Sequence, residues 1–210
     1  PLKWQHLVYS LQELGFAVHV GGQSAMDHQG MVHYLPMGER ETIHLYCEDR
    51  LPAWVKQVSI NADVEIHRRT LFDKKSQALA ITSLPFGAWD WPISYSEKER
   101  ALLEYLDNLP DQADLDKADK YMESALSFRP QLLMQLLQAC TRIKTKRLFL
   151  WLADRHHHAW FKKLEIAALN LGSGKRVIYP GGILDKKYNI TIPREYAMRD
   201  TINGNGQPLF

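Results

Sequence analysis

Some groups of residues have the types and spacing to do chemistry. One is Gly172-Ser173-Gly174-Lys175-Arg176. Glycine amides cradle phosphate and a neighbouring lysine neutralises it. The phosphate-loop pattern G-x-x-x-x-G-K-[ST] needs glycine at 169 and a hydroxyl at 176, and the chain has Leu169 and Arg176 there. The segment also leads into strand-like sequence, whereas a phosphate loop leads into a helix. Nucleotide hydrolysis is not expected, and the segment reads as a tight turn presenting Lys175 and Arg176.

Asp154-Arg155-His156-His157-His158 invites a metal site. On a helix, adjacent side chains point about 100° apart, so three in a row do not converge on one ion. Asp154 and His158 stand at i, i+4, which is two ligands. His6, His19, His28, His33, His44 and His67 show no ligand spacing such as H-E-x-x-H. No metal ligands and no cofactor are expected. Hydrolytic patterns are equally thin. G-x-S-x-G is absent, and so is a nuclease core of Asp followed by Glu-x-Lys. Asp114, Asp116 and Asp119 read as solvated charges near helix starts. No residue is expected to be catalytic, and the chain does not read as an enzyme.

The fullest signal is basic. Residues 141–187 hold 11 Lys and Arg against Asp154, Glu165 and Asp185, with Trp151, Trp160 and Phe161 interleaved. Lys144, Lys146, Arg147, Arg155, Lys162, Lys163, Lys175 and Arg176 are the expected DNA- or anion-binding residues. Lys144, Arg147, Arg155 and Lys162 return to roughly one side of a helix. Phosphate contacts by such residues release counterions. Residues 1–130 carry 13 basic and 19 acidic residues, and residues 131–210 carry 13 and 5, so a net −6 is joined to a net +8. That asymmetry fits an anionic partner. It equally fits acidic helices packed against basic ones.

The elements that must position these groups follow from length and pattern. A chain of 210 residues with 45% apolar and 24% charged residues has an ordinary globular composition. It is long enough to bury a core without disulfides or metals. Cys47 and Cys140 are too few for a secreted disulfide framework, and no signal peptide opens the chain. A cytoplasmic protein with reduced thiols is expected. The longest apolar run, Leu148 to Ala153, has six residues, against roughly 18 for a membrane span.

Trp4, Leu7, Val8, Leu11 and Leu14 predict a helix stopped by Gly15. Phe16 to Val20 predicts a strand, and Ser24 an N-cap for a helix over 25–29. Alternation predicts strands through Ile43, Leu45 and Cys47 and through Val64 and Ile66, with a weaker one over 77–82. Residues 83–94, with Pro85, Gly87, Pro92 and two Trp, read as a rigid loop.

Helices follow. Ser96 and Glu99 make a capping box, Asp114 or Asp116 caps the next helix, and Pro130 suits a first turn. Over 144–160 the stretch Arg147-Leu-Phe-Leu-Trp-Leu152 also fits a buried strand, but no Gly or Pro interrupts 131–171 and the segment reads as helix. Strands over 176–179 and 188–192, joined through Pro180-Gly181-Gly182, end the pattern, and the last ten residues read as loosely ordered. The fold class is α+β: a small sheet with helices in residues 1–95, then a helical part with a C-terminal β-hairpin in residues 96–210.

Several stretches, in order, carry a resemblance. They are residues 15–25 (GFAVHVGGQSA), His33-Tyr-Leu-Pro36, Leu51-Pro-Ala-Trp54, residues 146–155 (KRLFLWLADR), residues 171–176 (LGSGKR) and Tyr188-Asn-Ile-Thr-Ile-Pro193. The set resembles the AbiEi family, antitoxins and transcriptional regulators of type IV abortive-infection toxin–antitoxin systems. The resemblance implies an antitoxin domain that counters a nucleotidyltransferase-like toxin from a neighbouring gene without necessarily forming a stable complex. It also implies promoter DNA as a partner, read in such proteins by an N-terminal winged helix-turn-helix. No helix-turn-helix is recognisable here. The chain begins at Pro1, where that segment would end, so a preceding segment is expected to be missing and autonomous operator binding to be weak. The resemblance brings no catalytic residue. A phosphate-handling enzyme using the basic surface, or a plain protein-interaction module, are the other readings.

Overall fold

The structure is a computed structural model, and it describes residues 2–31, 40–68, 71–111 and 113–203, without the side chains of 199–203. It is α+β. In chain order come α1 (Trp4–Glu13), β1 (His19–Val20), α2 (Gly22–His28), β2 (Thr42–Tyr46), β3 (Asp63–His67), β4 (Ile81–Phe86) and β5 (Trp91–Ser96). Then follow α3 (Lys98–Asp107), α4 (Leu115–Glu123), α5 (Pro130–Ala139), α6 (Ile143–His156), β6 (Ile183–Asp185), β7 (Ile190–Ile192) and α7 (Arg194–Asn203). One sheet has the order β3-β2-β1-β5-β4, and β6 and β7 form a separate hairpin. Within the sheet, β1–β2 and β4–β5 are antiparallel, while β1–β5 and β2–β3 are parallel.

The helix expected at the start forms as α1. It buries Trp4, Leu7, Val8 and Leu11, and Gly15 with φ +87 ends the run. Leu14, expected on the same stripe, is exposed. α2 starts earlier than expected, with Gly21 as its N-cap. Ser24 instead joins α2 to β2, donating to Thr42 O and accepting from His44 N.

The segment expected to be a rigid loop is the β4–β5 hairpin, and the strand expected over 77–82 is mostly turn. Pro85 faces Pro92 across the pair. Two residues without N–H groups face each other only at a non-hydrogen-bonded position of an antiparallel ladder, so both prolines are tolerated. β1 is too short to reach that end of β5. The Gln12 side chain of α1 takes its place, donating to Pro92 O and accepting from Ser94 N at 2.9 and 3.0 Å.

α3 is the central helix and packs against α2, α4, α5 and α6. Leu102, Leu103 and Leu106 are fully buried. Truncating any one to Ala should cost about 2–5 kcal/mol. The capping box expected at its start does not form. Glu97 is the N-cap, and Glu99 instead holds Arg129 at 2.9 Å. Asp114 caps α4 by accepting from Lys117 N, and Pro130 opens α5, both as expected.

The helix expected over 144–160 forms as α6, Ile143–His156. α5 stops at Ala139 because residues 139–141 pair with 71–73: Asp73 N donates to Ala139 O, and Thr141 N to Leu71 O. α6 ends where His157 takes a left-handed conformation, φ 52. The final hairpin is also shifted. Ile183–Asp185 pairs with Ile190–Ile192, while Arg176 makes an isolated parallel bridge to Ile190. Of the tail expected to be loose, residues 204–210 lie outside the described residues.

Candidate functional site

The residues expected to bind DNA come apart into buried and exposed sets. Lys146 and Arg147 are 4% exposed. Lys146 Nζ donates to Asn170 O at 3.1 Å. Arg147 donates to four carbonyls: Leu171 O at 2.8 Å, Gly172 O at 3.0 Å, Gly174 O at 2.6 Å and Asn189 O at 3.1 Å. The guanidinium fork therefore clamps the glycine turn to the base of β7 and does not belong to a solvent-facing patch. Arg155 lies over the Trp151 and Tyr196 rings and approaches Asp119 at 4.0 Å. Lys144 Nζ donates to Asp107 O and Leu109 O at the end of α3, at 3.2 and 2.5 Å. Together with Arg142 and Arg176 it lines a cleft of about 440 Å³ at the start of α6. Lys162, Lys163 and Lys175 are exposed.

In the histidine run the His156 and His158 rings lie stacked with centroids 5.8 Å apart, but each side chain has its own partner. His156 Nε2 meets Asp119 at 2.8 Å, His157 caps α6 through its backbone, and His158 Nε2 meets Met122 O at 2.6 Å.

A second polar region is not among the candidate sites of the sequence, although His19, Gly21 and Gly22 lie in the stretch 15–25 that carries the resemblance. It lies between the sheet and the helices α2 and α3. Glu104 of α3 is its hub. Its Oε1 accepts from Arg100 Nε at 2.8 Å and meets His19 Nε2 at 2.9 Å. Its Oε2 accepts from Ser96 Oγ at 2.7 Å and Gly22 N at 3.0 Å. Burial pushes this carboxyl up, but the His19 and Arg100 charges and their hydrogen bonds outweigh it and hold it down at about 2. The close approach requires Gly21, where a Cβ would collide with the Glu104 carboxylate and the Tyr46 ring.

Tyr46 stacks on His19 and on His67, with centroids 5.7 and 4.6 Å apart, and its hydroxyl accepts from Asn108 Nδ2 at 3.1 Å. On this side His44 Nδ1 and His67 Nε2 stand 2.9 Å apart, and the Glu65 carboxylate is 3.6 Å from the first and 3.7 Å from the second. Burial, with the facing His67, pushes His44 down to about 4. His44 and His67, which show no ligand spacing in the sequence, are thus neighbours in the fold. Their spacing of 23 residues has no motif, and the parallel β2–β3 register makes them neighbours.

Two clefts flank the Tyr46 ring. One, of about 540 Å³, includes His19, Cys47, Arg100 and Glu104; the other, of about 390 Å³, includes Gln23, His44, Asn108, Asp114 and Lys117. In the larger cleft, burial pushes the Cys47 thiol up, which disfavours the nucleophilic thiolate. Glu104 already has four hydrogen-bonding partners.

A family model for the AbiEi antitoxin transcriptional regulator of type IV toxin–antitoxin systems matches residues 40–193. The model of that regulator's N-terminal domain matches residues 1–37. The chain belongs to the AbiEi family. Among the stretches that carried the resemblance, residues 15–25 hold β1 and the start of α2 around Gly21 and Gly22. Residues 146–155 lie in α6 and supply the Arg147 clamp, residues 171–176 are the turn it holds, and Tyr188–Pro193 contains β7. His33–Pro36 lies outside the described residues. No curated protein matches. Among solved structures, the RV2827C protein from Mycobacterium tuberculosis is similar, with a TM-score of 0.60 and 14% identity over 88% of this chain. The chain spans 65% of that structure, and the likeness at this identity is one of fold. Among the described residues, no helix is long and apolar enough to cross a membrane.

Proposed function

We propose that this AbiEi chain is the antitoxin part of a type IV pair, acting in the cytoplasm without catalysis of its own. It counters a nucleotidyltransferase-like toxin and assists repression of its own promoter by contacting DNA phosphates. The observation that carries this reading is the pair of family matches, which follow one another along residues 1–37 and 40–193. The DNA contact is supported by the exposed Lys162, Lys163 and Lys175 and by the cleft that Arg142, Lys144 and Arg176 share. α6 opens with no acidic residue in its first turn. Cations at the positive end of a helix dipole are unfavourable by a few tenths of a kcal/mol, and a bound phosphate would reverse that balance.

Co-expression tests the antitoxin role. The chain is expected to restore growth of cells producing the cognate nucleotidyltransferase-like toxin. Continued toxicity, with the chain soluble and at normal abundance, would sink the proposal.

A further inference from the structure

β3 is an edge strand, and β2 beside it runs parallel. The register sets His44 opposite Glu65 and Tyr46 opposite His67. Side chains alternate along a strand, so all four lie on one face. We propose that His44, Glu65 and His67 bind one divalent transition-metal ion of the zinc type, which clips the edge strand β3 to β2.

The geometry favours such an ion. Zinc bound at about 2.0–2.1 Å in a tetrahedron holds its ligand atoms roughly 3.3–3.4 Å apart. The two imidazole nitrogens are 2.9 Å apart, Glu65 Oε2 is 3.6 Å from His44 Nδ1 and Glu65 Oε1 is 3.7 Å from His67 Nε2, so each carboxylate oxygen faces one imidazole at close to that spacing. Movements of a few tenths of an ångström admit the ion. Two imidazoles and a carboxylate match zinc sites with three protein ligands and a fourth position left to water. Nitrogen ligands disfavour magnesium and calcium, which take oxygen.

The rings are also held in place before any ion arrives. His67 is stacked by Tyr46 at 4.6 Å and by His44 at 5.2 Å, and Ser24 Oγ accepts from the His44 backbone N–H at 2.9 Å. The two histidines are largely shielded while the Glu65 side chain is 40% exposed, so the ion enters past the carboxylate. Lys117 lines the neighbouring cleft with His44, and its charge opposes a cation. Binding therefore depends on the Glu65 charge as well as on the imidazoles. The competing arrangement is a plain imidazole–imidazole hydrogen bond beside an acid. This inference stands apart from the antitoxin reading, because it needs neither toxin nor DNA.

The test uses the tag-free full chain, stripped with chelator and dialysed. Zn²⁺ is titrated by calorimetry and Co²⁺ by visible absorption. One ion per chain is expected, with the Co²⁺ spectrum of a four- or five-coordinate site. His44→Ala and His67→Ala should each weaken binding at least about tenfold, the lower end of the effect seen even for outer-shell partners of metal ligands. Glu65→Gln should weaken it clearly too; its exposed position separates loss of a ligand from loss of fold, which circular dichroism checks in all variants. His28→Ala and His156→Ala should bind like the wild type. Zn²⁺ should raise the melting temperature of the wild type and leave that of His67→Ala unmoved. Equal affinity for wild type, His67→Ala and Glu65→Gln would overturn the proposal, as would binding that is lost with His156.

Discussion

Glu104 is a carboxylate removed from water and surrounded by donors from β1, α2, β5 and its own helix. Its ionised form is stabilised in the folded chain, with a pKa near 2 against an ordinary 4.5. A depressed folded-state pKa contributes stability above the unfolded value, and that contribution disappears as pH falls through the folded one. A shift of this size corresponds to on the order of 3 kcal/mol. Glu104→Gln should therefore be less stable than wild type by about 3 kcal/mol at neutral pH, with Arg100 left buried beside a neutral group. The gap should close as pH drops from about 4.5 towards 2. Urea unfolding of both proteins across that range measures it; a gap independent of pH would refute the assignment. This hub has no signature in the chain, because a glutamate on a helix surface and a glutamate in a core look alike until the neighbouring strands are placed.

At the level of elements, α6 and the turn over 171–174 depend on one side chain. Arg147 supplies donors in a fixed planar fork to four carbonyls of two segments. Lysine offers a single ammonium and does not reach all four. Arg147→Lys should lower stability by roughly 1–2 kcal/mol, since several part-buried carbonyls lose their partners. Limited proteolysis should then cut between 170 and 176 faster than in wild type. An unchanged melting temperature and cleavage pattern would show that the clamp is dispensable. Local signals elsewhere held where they needed nothing from afar: Asp114 caps α4, Pro130 starts α5 and Gly15 ends α1. They failed where a distant group competed, as at Glu99, which holds Arg129 instead of closing a capping box with Ser96.

At the scale of the molecule, Asp119 of the acidic part faces Arg155 and His156 of the basic part, whereas Asp154 with Lys187 and Glu97 and Glu99 with Arg129 pair charges within one part and leave the asymmetry between the parts as it is. Exposed Lys162, Lys163 and Lys175 are the residues to reverse. The triple Glu variant should bind duplex DNA far more weakly, and the salt dependence should flatten by roughly 0.9 in log–log slope for each phosphate no longer neutralised. Sequence preference should change little, because phosphate contacts position a protein without reading bases. Stability should move by only about 0.5 kcal/mol for each reversal. Binding titrations at several salt concentrations, with melts of the same proteins, decide it: a fall in melting temperature with unchanged DNA binding would assign these lysines to the fold.

The fold class was legible in the chain by itself because it rests on apolar periodicity and capping residues, which are local properties, and the AbiEi family was legible through the resemblance that the ordered short motifs carry. The basic character of residues 141–187 was legible too, because charge is read directly from composition. Which of those charges face water was decided by tertiary structure. Lys146 and Arg147 sit at adjacent positions of an amphipathic pattern, and their burial follows from carbonyls contributed by residues 170–174 and 189. The His44–Glu65–His67 cluster likewise exists through register alone. A parallel pairing joins residues about 20 apart in the chain, and no periodicity along a single strand encodes which neighbour lies beside it.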